Sequence, residues 1–577
     1  MASRNDYSSW SKEDLIKKIK ALEKRKKYGL VWDSEREPEK VVLDCQKELP
    51  VLKEIKYKEI QSGKDDVTHI LIEGDNYHAL SVLNYTHEKT VDLIYIDPPY
   101  NTGTDEFSYN DRYIDKEDPY RHTKWLSFME KRLKLAKNLL KKTGVIAVSI
   151  NEEEQAQLKL MCDDIFAEEN YLTMFSVKVR HEERILKGDK DFHEVIEYLY
   201  LYRKSHEHRT VKRIRDNTSL EEYTYKIREL TKTPQIMKFG SKVVQVFKPG
   251  DFEVNKTSPD ANSLKKISIR GSIKEGNSSG RFYMRHLDPI TSTNRGYLIK
   301  VPNMGDDGLE FRYFLVPSSD KRINGDYFQG VPLNRADTKE VPFPNFLDFV
   351  DEFNNVGYEG GVEFRNGKKP VAFINHIFEI GGVLRNKNAV ILDFFAGSGS
   401  TGQAALEANK HDGGKRQFIL CTNNENNICT DICYPRILKV IKGYKNSKGE
   451  AVEGLGGNLK YYQTAFVPAS PTDKNKELLT RQSIEMLTLK EGTFEKVSQD
   501  ASYAIYKSSE KYTGIIFEQL AFDRFKKAVA KADKPISLYI FSLADEDFSD
   551  DFADMKKLVK ICAIPESILR VYRRIFK

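Results

Sequence analysis

The sequence predicts an α/β protein whose mostly parallel sheet is wound from two separated stretches of chain. Three observations carry this expectation. Strand and helix patterns alternate from about residue 66 to 170, the rhythm breaks over 171–365, and it resumes over 366–465. In both regular stretches the strands are apolar throughout, as strands covered on both faces should be.

The chain has 577 residues, 40% hydrophobic and 11% aromatic, which is ample for real cores and corresponds to roughly three or four domains. No window reaches the run of about 18 uncharged apolar residues that a membrane span requires. The opening "MASRNDYSSWSKEDL" lacks the apolar centre of a secretion signal, so the expected address is cytoplasmic. Six cysteines form no CxxC pair and no Cys/His cluster with zinc spacing; they read as reduced thiols, with Cys421, Cys429 and Cys433 buried in strand and helix, and no metal site is expected.

Taken in order, residues 1–65 read as a helical extension. Ser11 and Asp14 make a capping box, Leu15, Ile19 and Leu22 follow at helical spacing, and Gly29 supplies a stop. Its apolar stripe is expected to pack on another domain or subunit. Over 66–170 the pattern runs strand "THILIEGD", helix "HALSVLNY", strand "VDLIYID", helix "WLSFMEKRLKLAKNLLKK" and strand "GVIAVSIN". In the long helix Leu126, Met129, Leu133, Ala136 and Leu140 keep a 3.6-residue period, the mark of a crossover helix lying on a parallel sheet.

The 171–365 stretch has short strand-like pieces, exposed aromatics and many Asn, Ser, Gly and Pro, and reads as an insertion. It is also the basic part of the chain: residues 201–300 hold 21 Lys/Arg against 10 Asp/Glu, in a protein whose net charge is only +6. A basic block is compatible with a nucleic-acid partner and equally with a solvated face. After it come helix "PVAFINHIFEIGG", strand "AVILDFF", helix "STGQAALEAN" and strand "QFILCT". Residues 466–577 read as a small α/β appendage with no recognisable chemistry.

Two loops carry the chemistry. In "VDLIYIDPPYNTG" the prolines cannot continue a central strand, so it must end at Asp97 and project a carboxylate, a backbone carbonyl and the Tyr100 ring beyond the sheet. In "DFFAGSGSTG" a strand gives way to glycines at 397, 399 and 402 and then to a helix, the arrangement in which backbone amides face a ligand. The glycines satisfy GxGxxG, so a nicotinamide cofactor is one reading and a tight turn without ligand another. No GK[ST] closes the loop, and Asp393 with Phe394 and Phe395 suits a ligand that has no pyrophosphate.

Together "DPPY" and "FFAGSGST" resemble the S-adenosylmethionine-dependent DNA amino-methyltransferases. With DPPY first, the insertion between and the glycine loop late, the order resembles the β-type permutation of that family over roughly 66–465. The long insertion, the "KKYGLVW" segment and the C-terminal extension are similar to the modification (Mod) subunits of type III restriction systems. The resemblance implies a permuted Rossmann-like methyltransferase sheet with an inserted target-recognition domain and N- and C-terminal extensions: an extension at 1–65, a catalytic half at 66–170, a target-recognition domain at 171–365, a cofactor half at 366–465 and a C-terminal α/β domain at 466–577. It implies double-stranded DNA as partner, a homodimer, and a restriction subunit as a further partner.

The chemistry fits the residues. An exocyclic amine is a poor nucleophile because its lone pair is delocalised into the base; if the Asp97 carboxylate and the Pro98 carbonyl each accept one N–H, the nitrogen is drawn towards tetrahedral geometry. Tyr100 offers a face for the extruded base to stack on, and Pro98 and Pro99 stiffen the loop. This loop holds no nucleophilic cysteine, which C5 methylation of a pyrimidine would need.

The resemblance implies adenine N6 as the target, with cytosine N4, RNA or a protein amide nitrogen as alternatives and an NAD-dependent dehydrogenase as the alternative of another class. It implies cofactor contacts from Phe395, Gly397 and Gly399, with Asp393 in support, and from Asp75 in "LIEGDN", which otherwise is only a turn. Asn423 or Glu425 is implied at the cofactor ribose. Lys369 is implied near the methionine carboxylate, the alternative being a plain amphipathic core helix. In the basic insertion Asn294, Arg295 and Lys300 are candidate DNA contacts.

Overall fold

In a computed structural model of the chain the described residues are 10–17, 38–63, 66–103, 108–109, 112–184, 191–216, 220–333, 338–364, 367–544, 546–555 and 558–576. The chain forms two compact units, one from Met1–Val211 with Pro344–Lys577 and the other from Lys212–Phe343.

A ten-stranded sheet organises the first unit. Its strands in chain order are β1 (Glu48–Glu54), β2 (Thr68–Glu73), β3 (Val91–Ile96), β4 (Leu140–Ile150), β5 (Tyr171–Lys178), β6 (Ile196–Arg203), β7 (Phe346–Asp348), β8 (Val390–Asp393), β9 (Gln417–Thr422) and β10 (Asn458–Pro468). Their spatial order is β1-β10-β2-β9-β8-β3-β4-β6-β5-β7. The block from β10 to β4 is parallel throughout, while β1 is antiparallel to β10 and β6 is antiparallel to both β4 and β5. The chain therefore reaches the centre of the sheet twice, and strands β3 and β8, about 300 residues apart in sequence, become neighbours with Leu93 opposite Ile391 and Ile94 opposite Leu392.

Helices cover the sheet as the apolar periodicity demands: α1 (Asn76–Thr86), α2 (Arg121–Leu139), α3 (Gln155–Phe166), α4 (Val371–Ile380), α5 (Ser400–Asp412) and α6 (Tyr434–Lys442). In α2 Leu126, Met129, Leu133 and Ala136 are all buried. Leu140 is not the last member of that stripe; it begins β4 and pairs with Val91. Among the described residues no helix is long and apolar enough to cross a membrane.

Three boundaries differ from those the sequence suggests. The second unit starts near 212 and ends near 343 rather than spanning 171–365, because β5, β6 and β7 extend the central sheet. The cause is visible in "IEYLYLYR", where Leu199, Tyr200, Leu201 and Tyr202 are all buried. The second unit has its own six-stranded sheet and a core that includes Val244, Val246, Tyr283, Phe314 and Tyr327. At the C-terminus a five-stranded sheet spans Glu495–Ile564. The expected division at 465/466 cuts through β10, and Met486 and Leu487 of α7 (Ile484–Glu491) and Ile568 and Tyr572 of α8 (Glu566–Ile575) share one core with Leu80 and Leu83 of α1. At the other end Asp14 N donates to Ser11 Oγ at 3.1 Å, as the capping box requires; Ile19, Leu22 and Gly29 lie outside the described residues.

Candidate active site

In a parallel sheet all carboxyl ends open on one edge, so the turns after β2, β9, β8 and β3 gather there. These are the turns that hold Asp75, Asn423 with Glu425, Phe395 to Gly399, and Asp97 to Tyr100.

The turn after β3 is fixed at both ends. Trp125 of α2, fully buried, donates from Nε1 to the Pro99 carbonyl at 2.7 Å, and Asn101 turns the chain in the left-handed region at φ +60°. The Asn101 side chain donates to Glu154, a buried carboxylate that also meets His122 Nδ1 at 2.7 Å. Just ahead of these anchors the Asp97 side chain stays 21% exposed, enough for a substrate atom to reach it. Tyr100 Oη lies 2.8 Å from Asp97 Oδ1 and 3.0 Å from Glu197 Oε2. Lys369 Nζ donates to Glu197 Oε2 and to Tyr100 Oη, each at 2.7 Å, and stands 3.3 Å from Asp97 Oδ1.

This is a partly buried cluster of one cation, one phenol and two carboxylates. Burial raises the Asp97 pKa, with Lys369 opposing and Glu197 reinforcing the rise. Glu197 is also disfavoured as an anion by burial, but the close Lys369 ammonium outweighs this and holds it below the ordinary carboxylate range. Burial works against the charge on Lys369 as well, and the two carboxylates overcome it, so the lysine stays cationic.

After β8, Asp393 braces its own turn. It accepts from Phe395 N at 3.0 Å and from Thr401 Oγ1 at 2.6 Å, and burial pushes its pKa up to about 7. Gly397 takes φ +48°, and a side-chain carbon built there would find nothing nearer than the Phe395 carbonyl at 3.8 Å; the backbone is open on that side. Gly399 takes φ +80° as the cap of α5, with a built side-chain carbon 3.1 Å from Cys433 Sγ. The Phe395 ring tilts against Phe128 with centroids 6.0 Å apart. An open glycine backbone beside an aromatic wall, with no basic residue from 393 to 402, suits a cofactor of the S-adenosylmethionine kind better than a dinucleotide.

Asp75 caps α1 by accepting from Tyr77 N at 2.7 Å and pairs with Arg132 at 3.3 Å. The next residue, Asn76, donates to the Phe394 carbonyl at 3.1 Å and so ties the β2 turn to the β8 turn. Asn423 and Glu425 follow β9, both exposed, with Asn423 Nδ2 3.4 Å from Glu425 Oε2. In the second unit, Arg295 pairs with Asp320 and Lys300 with Glu229 at 2.9 Å, while Asn294 turns back on the Ile290 carbonyl at 3.1 Å.

A family model for DNA methylase matches residues 91–432, from the first of the two central loops through the second. The chain belongs to the DNA methylase family. It is 27% identical over 519 residues to "Probable type III restriction-modification enzyme HindVI Mod subunit" of Haemophilus influenzae, covering 85% of this chain and 66% of that one. To the type III restriction-modification enzyme EcoPI Mod subunit of Escherichia phage P1 it is 28% identical, over 65% of this chain and 60% of that one. To the type II methyltransferase M.KpnI of Klebsiella pneumoniae it is 28% identical, over 70% of this chain and 93% of that one. The chain thus spans a little under two thirds of the length of the two Mod subunits.

Several residues that shape the methylase site escaped the sequence reading. Glu197 sits in β6, which the breakdown of the strand–helix rhythm had assigned to the insertion. Arg132, fully buried, binds Glu39 at 2.7 and 3.0 Å, Asp75 and Asn76. Its signal was positional: with Trp125 and Met129 it shares the buried face of α2, where an arginine needs partners. Arg436 is likewise buried, donating to Ser400 at 2.7 Å and to Glu359 at 3.0 Å. Lys369, expected near an amino-acid carboxylate, sits with Asp97 and Glu197.

Proposed function

We propose that this methylase transfers the methyl group of S-adenosylmethionine to N6 of an adenine extruded from double-stranded DNA, as the modification subunit of a type III restriction-modification system. The observation that carries the reading is that the Asp97–Tyr100 turn and the Asp393–Gly399 turn end two paired neighbouring strands and open on the same edge. The names of the Mod relatives support the type III assignment and a restriction subunit as partner, and Asp97 at the head of the DPPY turn supports adenine rather than cytosine.

S-adenosylmethionine, when bound, supplies an electrophilic methyl carbon and leaves as a neutral thioether. Gly397 and Gly399 would let it approach the backbone, Phe395 would cover its apolar part, Asp75 would meet the adenine end, and Asn423 or Glu425 the ribose. The chain's own work is on the amine. Asp97 accepts one N–H and the Pro98 carbonyl the other, the Pro99 carbonyl being taken by Trp125. Tyr100 supplies the stacking face, and Asp97 then stabilises the cationic amine until its proton passes to solvent water.

A labelled methyl donor offered separately to duplex DNA, RNA and protein tests the reading: label is expected in duplex DNA, and label in protein or RNA alone would overturn it. A homodimer is part of the same proposal, and light scattering that gave the mass of one chain would reject it.

A further inference from the structure

We infer that Glu197 is a positioning residue that frees Asp97 for the substrate amine by holding the Tyr100 hydroxyl and the Lys369 ammonium in its place. The inference rests on the function proposed above. It begins from topology: β6 runs antiparallel to β4, so its first residues reach the edge where the catalytic turn lies, with Tyr198 opposite Ile150 and Glu197 one residue beyond.

The hydrogen-bond count carries the rest. Asp97 Oδ1 is the atom reached both by Tyr100 Oη and by Lys369 Nζ. A phenol has one proton and donates to one carboxylate at a time. In the cluster as built, that proton serves Asp97 at 2.8 Å or Glu197 at 3.0 Å, a near-even choice. Lys369 is not evenly placed; it is 2.7 Å from Glu197 and 3.3 Å from Asp97.

An amine N–H accepted by Oδ1, the oxygen that already faces the phenol and the ammonium, needs one of those two donors to turn away. Without Glu197, the phenol and the ammonium would lose a buried partner in the same step, which opposes capture of the base. With it, the hydroxyl proton turns about its C–O bond to Glu197 and the ammonium stays where it already sits. No covalent bond changes, and the tally of donors and acceptors is conserved.

The groups that bear on Asp97 come from every surrounding element: Tyr95 from β3, Tyr100 from the turn, Glu197 from β6, Lys369 from the segment before α4, and Asp393 from β8. Arg180 lies 3.8 Å from the far oxygen of Glu197.

The test compares wild type, Glu197→Gln, Tyr100→Phe and the double variant in single-turnover methylation of a duplex carrying the motif found by modified-base sequencing. Glu197→Gln is expected to slow the step about ten- to a hundredfold, the range for a buried charged hydrogen-bond partner. Titration with S-adenosylmethionine should give unchanged affinity. The acid limb of the rate profile should move to lower pH, because a carboxylate that raises the Asp97 pKa is gone and Lys369 is left to Asp97 alone. In the Tyr100→Phe background the same change should cost much less, since no hydroxyl is handed over. Glu197→Asp, which keeps the charge but withdraws it, should return the acid limb while leaving the rate low. An unmoved acid limb, fully additive losses, or a Glu197→Gln rate equal to wild type would overturn the inference. Wild type without activity on DNA would overturn the proposed function instead.

Discussion

Asp97 and Asp393 are both aspartates at the ends of central strands, yet the structure gives them different work. Asp97 keeps a face open and an ion pair beside it; Asp393 is buried with two donors on it and its pKa raised to about 7. The folded chain holds a proton on Asp393 that the unfolded chain releases near the ordinary value of 3.8, so the stability this proton brings is full below that value and is lost as pH rises to about 7. Asp393→Asn is therefore expected to melt above wild type at pH 8, with the gap closing towards pH 4, as thermal scans across that range would reveal. Arg132 gives a second prediction. Replacing it with leucine strands Glu39, only 4% exposed, and should cost about 3–5 kcal/mol in denaturant unfolding. Both aspartates are in motifs that can be read from the sequence; Glu197 and Arg132 are not, because their meaning depends on side-chain hydrogen-bond partners 56 residues or more away in the chain.

The turns explain why two glycines in the same left-handed region differ in consequence. Gly399 and Gly413 both take positive φ, +80° and +66°, but only Gly399 has a neighbour, Cys433 Sγ, within 4 Å of a built side-chain carbon. Alanine at 399 should cost about 1–3 kcal/mol and weaken S-adenosylmethionine binding in a titration, whereas alanine at 413 should cost backbone strain alone and leave binding intact. The strands and helices of the central sheet were legible because burial on both faces writes continuous apolar runs, and β9 ends where the pattern said, at Thr422. Strand β6 is hard to assign for a related reason: Tyr200 and Tyr202 are as buried as aliphatic residues, but aromatic-rich "YLYLY" sits among polar turns and lacks a following helix.

Domain limits were the least legible feature, since nothing in composition marks where a chain leaves a sheet and returns to it. The compact unit at Lys212–Phe343 still contains most of the basic surplus noted for 201–300, and DNA affinity drawn from phosphate contacts should fall steeply with salt. Replacing residues 212–343 by a flexible glycine–serine linker is expected to abolish sequence-specific DNA binding in gel-shift assays while S-adenosylmethionine still raises the melting temperature; retained specificity would place recognition in the first unit. The reaction itself is read most directly by modified-base sequencing of DNA from cells expressing the intact chain or its Asp97→Ala form. N6-methyladenine within one short motif, absent from the variant, is the result expected, and methyl groups on cytosine, or N6-methyladenine persisting in the Asp97→Ala cells, would contradict it.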